Sequence, residues 1–228
     1  MRQVVLDTET TGLEAKDGHR IIESGAVELI GRRLTERRLH CYVNPEREID
    51  AGALDVHGLS AEFLSDKPRF ADVVDELLVY VQDAEVIIHN APFDLSFLDA
   101  ELARAGRPPF AEYCASVTDT LRLARDLHPG KRNSLDALCE RYGISNRHRT
   151  LHGALLDAGL LAEVYLAMTR GQDSLVIDLA QGLAADAAPV DCSRLIVLPA
   201  SAEELAAHEA LLDAIEKECR LTAVWRAA

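Results

Sequence analysis

The sequence predicts an α/β fold in which helices flank a mixed central sheet, followed by a C-terminal tail. Short apolar segments rich in β-branched residues alternate with segments whose apolar residues recur at helical spacing, and this order is typical of α/β domains. A stretch over residues 172–194, in which Ala, Asp, Gly and Pro occur without a sustained apolar stripe, separates this pattern from the end of the chain. The 228 residues, 48% of them hydrophobic, are enough for one domain with a sizeable core and a tail.

The chain begins with three short apolar segments that we expect to be neighbouring strands. They cover residues 3–6, 21–30 and 39–43, with turn residues between them. A helix is predicted over residues 69–82, directly after Pro68, because apolar residues recur there at the spacing of an amphipathic helix. The chain therefore starts with strands and continues into a helix.

The next segments repeat the order of strand and helix. Residues 85–89 contain a Val-Ile-Ile run typical of a buried strand, which leads into a helix carrying Leu95, Phe97, Leu98 and Leu102. A short strand is predicted near residues 116–118, and helices are predicted over residues 120–127, 134–142 and 153–169. We place the main domain at residues 1–171.

The tail shows its own signals. Residues 172–194 have no sustained apolar stripe and are interpreted as a linker. A strand is predicted over residues 195–198, a helix over about 201–216 with a capping box between Ser201 and Glu204, and a strand-like segment over 221–225. Residues 195–228 are too few for an independent core, so they must pack on the main domain or on another protein.

Composition limits the class of protein. No stretch approaches the roughly 20 apolar residues of a membrane span, and the N-terminus is acidic where a signal peptide would be apolar, so we expect a cytoplasmic protein. The five cysteines form no CxxC pair and are interpreted as reduced thiols. The net charge of −14 disfavours unaided binding to nucleic acid, although acidic side chains suit a site for divalent cations.

Four carboxylates and one histidine fall at or near the ends of predicted elements. Asp7 and Glu9 alternate onto one side of the first strand, where its carboxyl end opens into the usual ligand crevice. Asp94 opens a helix and could simply stabilise the helix dipole. Asp157 lies in an apolar helix where an unpaired charge is costly, and His152 precedes that helix and could be an ordinary surface residue.

Three motifs carry a resemblance to a known superfamily. DTETTG (7–12), HNAPFDLSFL (89–98) and HGALLD (152–157) resemble the DEDD exonucleases in their His-containing branch, which implies an RNase H-like exonuclease fold. The longer blocks at 56–68, 129–144 and 149–169 resemble the epsilon proofreading subunits of bacterial DNA polymerase III, and the similarity covers residues 1 to about 170. That resemblance implies a 3′–5′ exodeoxyribonuclease in a bacterial replicative DNA polymerase that removes mismatched 3′-terminal nucleotides.

The resemblance also implies the catalytic roles. Asp7 would bridge two Mg²⁺ or Mn²⁺ ions, Glu9 and Asp157 would complete the first site, and Asp94 would support the second. His152 would be the general base for the attacking water, because imidazole exchanges protons near neutral pH.

Substrate and partner contacts follow from the same resemblance. Thr10, Thr11 and Gly12 would lie against the terminal nucleotide, with His57, His89, Asn90 and Phe93 lining its pocket. The basic runs 131–132 and 147–149 could hold backbone phosphates or could be solvated loops. Residues 195–228 resemble the segment that docks on the polymerase alpha subunit, residues 172–177 faintly resemble a sliding-clamp peptide, and a theta-like accessory subunit is a further possible partner.

Two other functions fit part of the sequence. An exonuclease of the same fold that acts on RNA 3′ ends would carry the same five catalytic residues, although it would not need a docking tail. A catalytically silent polymerase scaffold is the other, but a decayed site would have lost at least one of the five residues, and all five are present.

Overall fold

The computed structural model describes residues 2–146, 151–170, 199–219 and 222–226, which fall in two compact units, an N-terminal unit and a tail unit. Five strands build the N-terminal unit: β1 (Arg2–Thr10), β2 (Ile21–Ile30), β3 (Arg33–Tyr42), β4 (Glu85–Ile88) and β5 (Ser116–Asp119). Its helices are α1 (Ala51–His57), α2 (Ala61–Leu64), α3 (Phe70–Val81), α4 (Ala91–Arg104), α5 (Thr120–Leu127), α6 (Leu135–Tyr142) and α7 (Ala154–Met168). The tail unit contains α8 (Ala202–Cys219).

The strands form one mixed sheet in the order β3-β2-β1-β4-β5. The first three strands are neighbours, as predicted, and they pair antiparallel, whereas β4 and β5 run parallel to β1 and to each other. Gly31 and Arg32 connect β2 to β3, and both have positive φ, the backbone shape of a tight hairpin turn. The predicted mixed α/β architecture is confirmed.

Two predicted strand boundaries were wrong. β1 continues beyond residue 6 to Thr10, and β3 begins at Arg33 instead of residue 39. In both cases polar side chains interrupt the apolar pattern while the backbone keeps its ladder partners: Asp7 and Glu9 in β1 pair with Gly25 and Glu23 in β2. β3 is an edge strand, so most of its early side chains are exposed and carry no apolar signal.

Helices cover both faces of the sheet, and β1 divides the core between them. Val4 and Leu6 belong to the cluster that includes α3 and α4, whereas Val5 belongs to the cluster with α6 and α7. Because side chains alternate along a strand, the side chains of Asp7 and Glu9 lie on the same side of β1 as Val5, facing α7. The side chain of Thr8 lies on the side that faces α4. This alternation places the acidic side chains of β1 towards α7.

The predicted helices of the N-terminal unit agree with the observed ones to within one or two residues, and those over residues 120–127 and 134–142 are examples. The sequence prediction omitted α1 and α2, two short helices between β3 and α3. Both are too short to show a clear apolar period.

In the tail unit, α8 matches the predicted helix, and Ser201 and Glu204 form the predicted capping hydrogen bonds. The prediction of a strand-like segment at 221–225 was wrong, because Val224–Arg226 forms a 3₁₀ turn. Arg226 contacts Asp213 at 2.8 Å and Glu216 at 3.0 Å, which turns the chain back onto α8. The linker (172–194), the strand at 195–198 and the clamp-like peptide (172–177) lie outside the described residues.

Among the described cysteines, Cys139 is buried, Cys41 and Cys114 are half-buried and Cys219 is exposed, and none forms a disulfide. None of the described helices has both the length and the apolar character needed to cross a membrane.

Candidate active site

The carboxyl ends of the parallel strands open into a cleft of about 820 Å³. All five residues that the motifs singled out for catalysis line it: Asp7, Glu9, Asp94, His152 and Asp157. They come from three elements far apart in sequence, namely β1, α4 and the start of α7. The cleft lies where ligands bind in α/β folds.

Asp94 is fixed in the first turn of α4 beneath the cleft. Its side chain is 3% exposed, and its Oδ1 accepts a hydrogen bond of 2.7 Å from the Thr8 hydroxyl. Burial raises the pKa of the Asp94 carboxyl to about 7, against the opposing effect of the Thr8 hydrogen bond. A buried carboxylate of this kind becomes favourable when a cation lies beside it.

His152 and Asp157 form a pair at the start of α7. The His152 Nδ1 and Asp157 Oδ2 atoms are 3.1 Å apart, and Asp157 is 3% exposed. The His152 backbone N–H donates to the Val56 carbonyl at 3.0 Å, so α1 anchors the residue before α7 begins. The imidazole remains 42% exposed to the cleft side of the molecule, where water can reach it.

β2 and α7 approach closely beneath this pair. A Cβ on Gly25 would lie 2.1 Å from the Leu155 backbone nitrogen, a distance that no side chain could occupy. Gly25 therefore permits the start of α7 to rest directly on β2, opposite Asp7 in the ladder. This packing brings the His152–Asp157 pair to the acidic end of β1.

Glu9, His152 and Asp157 offer ligand atoms that all lie within 4.8 Å of one another. Carboxylate oxygens are the donors that hard divalent cations prefer. Buried Asp94, whose carboxyl carries a raised pKa, adds a second acidic position on the same cleft. The residues present therefore fit divalent metal ions.

A smaller pocket of about 360 Å³ adjoins the cleft and shares Thr8, Glu9 and Phe93 with it. Four of the residues predicted to contact substrate line this pocket: Thr10, Gly12, His57 and Phe93. Leu13 and Val56 add apolar surface. Burial lowers the pKa of His57, so its ring is neutral and suits an uncharged wall.

His89 and Asn90 line the main cleft instead of the small pocket. His89 Nδ1 is 2.9 Å from the Thr120 hydroxyl, and burial lowers the pKa of this imidazole. The Asn90 backbone N–H donates to Asp119 Oδ1 at 3.1 Å, and its φ of 65° turns the chain from β4 into α4. The hydrogen bonds of both residues therefore connect the chain after β4 to the end of β5 at the cleft.

Thr11 is the predicted contact that lies in neither cavity. It is fully buried, and its hydroxyl lies 3.0 Å from His19 Nδ1 and accepts from the Arg20 backbone N–H at 3.0 Å. These bonds hold the turn that follows β1. The trio 147–149 lies outside the described residues.

Other cleft residues were missed by sequence reasoning, and they come from α5, the loop after it and the start of α6: Leu121, Arg125, Asn133, Ser134, Leu135 and Asp136. A basic pair at 131–132 was the one signal for this wall of the cleft, and both of its residues line it. The rest depends on how β5 pairs with β4, which no local pattern reveals.

Comparisons with known proteins agree with this geometry. A family model described as an exonuclease (RNase_T) matches residues 4–165. DNA polymerase III subunit epsilon of Salmonella typhimurium is 54% identical over 99% of this chain and 98% of its own length, and that of Escherichia coli K12 is 51% identical over the same shares. The solved structure of exonuclease X in complex with 5′ overhanging duplex DNA is 26% identical, covering 73% of this chain and 90% of its own with a TM-score of 0.57. The fold is thus that of the RNase H-like exonucleases, and this chain belongs to the exonuclease family of DNA polymerase III epsilon subunits.

Proposed function

We propose that this 3′–5′ exonuclease removes mismatched 3′-terminal nucleotides from DNA at the cleft between β1, α4 and α7, as the proofreading subunit of a bacterial replicative polymerase. The observation that carries the proposal is the convergence of Asp7, Glu9, Asp94, His152 and Asp157 on one cleft. Family membership supports the reaction, and the cleft supports these residues as its catalytic group.

Exonucleases of this family use divalent metal ions, and two Mg²⁺ or Mn²⁺ ions suit this site. Asp7 would bridge them, Glu9 and Asp157 would hold the first, and Asp94 would support the second. Bound ions supply charge stabilisation for the phosphoryl and leaving oxygens. Thr8 holds Asp94 in place through its 2.7 Å hydrogen bond.

His152 is the general base. When Nδ1 carries the proton and donates to Asp157 Oδ2, Nε2 becomes the basic ring nitrogen, since neutral imidazole has one donor and one acceptor. The backbone bond from His152 to Val56 fixes the residue at the cleft. Imidazole then removes the proton of the attacking water near neutral pH.

The small pocket holds the 3′-terminal nucleoside. Its apolar lining, with Phe93 on one side and Leu13 and Val56 nearby, accepts any base by stacking and burial instead of reading its edge. Thr10 and Gly12 lie beside it, and the Thr10 hydroxyl donates to the Gly12 carbonyl at 2.7 Å. Removal of a terminal nucleotide regardless of its base follows from this lining.

The tail, residues 195–228, docks on the polymerase alpha subunit. Within its described residues, Leu205 is 55% exposed, Leu211 is 59% exposed and Trp225 is 81% exposed. Large apolar side chains left in solvent are typical of a binding surface. A theta-like accessory subunit and clamp binding through residues 172–177 stay predictions.

The substrate class is tested by giving the full chain a 3′-mismatched DNA primer and a matched RNA oligonucleotide in Mg²⁺. We expect faster release of the mismatched DNA nucleotide. A preference for RNA would reassign the cleft to RNA trimming, and hydrolysis of neither substrate would contradict the proposed chemistry.

A further inference from the structure

Three basic side chains line one wall of the active-site cleft: Arg125 on α5 and Lys131 and Arg132 in the loop before α6. We call them the basic lip. All three are exposed. Between the described residues, no hydrogen bond or ion pair uses their side-chain nitrogens, although the chain has 38 acidic residues against 24 basic ones.

The loop that carries the lip is held in one shape. Arg141 donates to the Arg132 carbonyl at 2.7 Å and to Asn133 Oδ1 at 3.1 Å. Asn133 is 8% exposed, and its Nδ2 donates to the His128 carbonyl at 3.4 Å. Gly130 allows the turn with a φ of 73°. Lys131 and Arg132 therefore extend from a backbone fixed at the cleft.

The cleft has two walls of opposite charge. Asp7, Asp94 and Asp157 lie on the wall formed by β1, α4 and α7, and the basic lip lies on the wall formed by α5 and the following loop. Asp136 is an acid on the basic wall, where its Oδ1 accepts from Asn146 at 3.0 Å. The basic side chains outnumber it by three to one.

A nucleic-acid strand needs cations along its backbone, and a protein with a net charge of −14 repels it elsewhere. We propose that the basic lip binds the backbone phosphates of the nucleotides on the 5′ side of the scissile bond. The lip thereby sets the affinity for the strand, while the acidic wall carries out hydrolysis. This inference rests on the proposed function, because it assumes that a 3′ end lies in the cleft.

The test compares binding of full-length wild type and Lys131→Ala/Arg132→Ala to a fluorescein-labelled dT12 oligonucleotide. Ca²⁺ replaces Mg²⁺ to suppress cleavage, and anisotropy is followed at several KCl concentrations. Loss of two exposed phosphate contacts should weaken binding about tenfold. The slope of log affinity against log salt should also fall by about 1.4, at about 0.7 per phosphate on a single strand.

Two further variants sharpen the test. Lys131→Arg/Arg132→Lys keeps both charges and should bind with wild-type salt dependence. Arg33→Ala/Arg38→Ala removes two exposed charges from edge strand β3 and is the matched control, which should bind as wild type does.

Three outcomes would overturn the proposal that the basic lip binds phosphates. Lys131→Ala/Arg132→Ala could bind with wild-type affinity, or it could lose affinity without a change in salt slope. The third outcome is that the charge-keeping swap or the β3 control loses as much affinity as Lys131→Ala/Arg132→Ala. If wild type and Lys131→Ala/Arg132→Ala bind dT12 equally well, only the proposal about the basic lip is refuted. Wild type that neither binds nor hydrolyses oligonucleotides refutes the proposed function as well.

Discussion

Asp94→Asn is expected to stabilise the metal-free protein while destroying its activity. Asp94 is only 3% exposed, and burial raises the pKa of its carboxyl from 3.8 to about 7. An acid whose folded pKa exceeds its unfolded pKa destabilises the folded state progressively as pH rises between those values. Raising this pKa to about 7 destabilises the folded protein by at most about 4 kcal/mol above pH 7.

Asparagine has no charge to bury, and its side-chain oxygen can still accept from the Thr8 hydroxyl. Without metal, the variant should exceed wild type in free energy of unfolding by up to about 4 kcal/mol at pH 8 and by about 2 kcal/mol at pH 5. Titrating groups that do not interact with Asp94 contribute equally to both proteins, so their contributions cancel in this difference.

The assay is urea unfolding followed by circular dichroism in EDTA, from pH 5 to pH 8. Exposed Asp126 provides the control, and Asp126→Asn should match wild type at every pH. Adding Mg²⁺ or Mn²⁺ should stabilise wild type more than Asp94→Asn, because metal binding adds to the stability of the folded state only. A stability gap that is absent at pH 8, or that does not change with pH, would refute the reasoning.

Three other predictions follow from the site and the tail. His152→Ala should keep metal binding, measured by Mn²⁺ titration, but lose about 100-fold or more of the hydrolysis rate, and near wild-type activity would remove His152 as the base. Gly25→Ala should destabilise the protein by about 1–3 kcal/mol in urea unfolding, because its Cβ would overlap the Leu155 backbone; wild-type stability would contradict that close packing. Deleting residues 195–228 should abolish co-purification with the polymerase while sparing hydrolysis of short oligonucleotides, and co-purification of the truncated chain would refute docking through the tail.

Much of the fold could be predicted because its elements bury regular apolar patterns. The strand at 85–88 and the helix at Phe70–Val81 carry patterns that few other structures could satisfy. β3 was predicted too short because an edge strand needs no apolar side chains to keep its backbone bonds. α1 was missed because it is only 7 residues long, yet its Val56 carbonyl anchors His152 and its His57 lines the small pocket.

The candidate catalytic residues were selected by their motifs, whereas their mutual placement depends on tertiary packing. The 3.1 Å contact between His152 and Asp157 is local, but its position beside the acidic end of β1 depends on α7 resting on β2 at Gly25, a non-local approach that no spacing encodes. Thr11 belongs to the DTETTG motif but is buried against His19, because the chain turns inward after β1. The motifs therefore located the candidate site, but they did not distinguish residues that line it from residues that stabilise the surrounding backbone.

The most direct test of the catalytic cleft is single-turnover release of the terminal nucleotide from a 3′-labelled, mismatched DNA primer in Mg²⁺, using wild type and Asp7→Asn. We predict that wild type releases the mismatched nucleoside monophosphate and that Asp7→Asn, folded by circular dichroism, is slower by about 100-fold or more, because it lacks the carboxylate that we propose bridges the metal ions. Equal rates for the two proteins would contradict hydrolysis at this cleft.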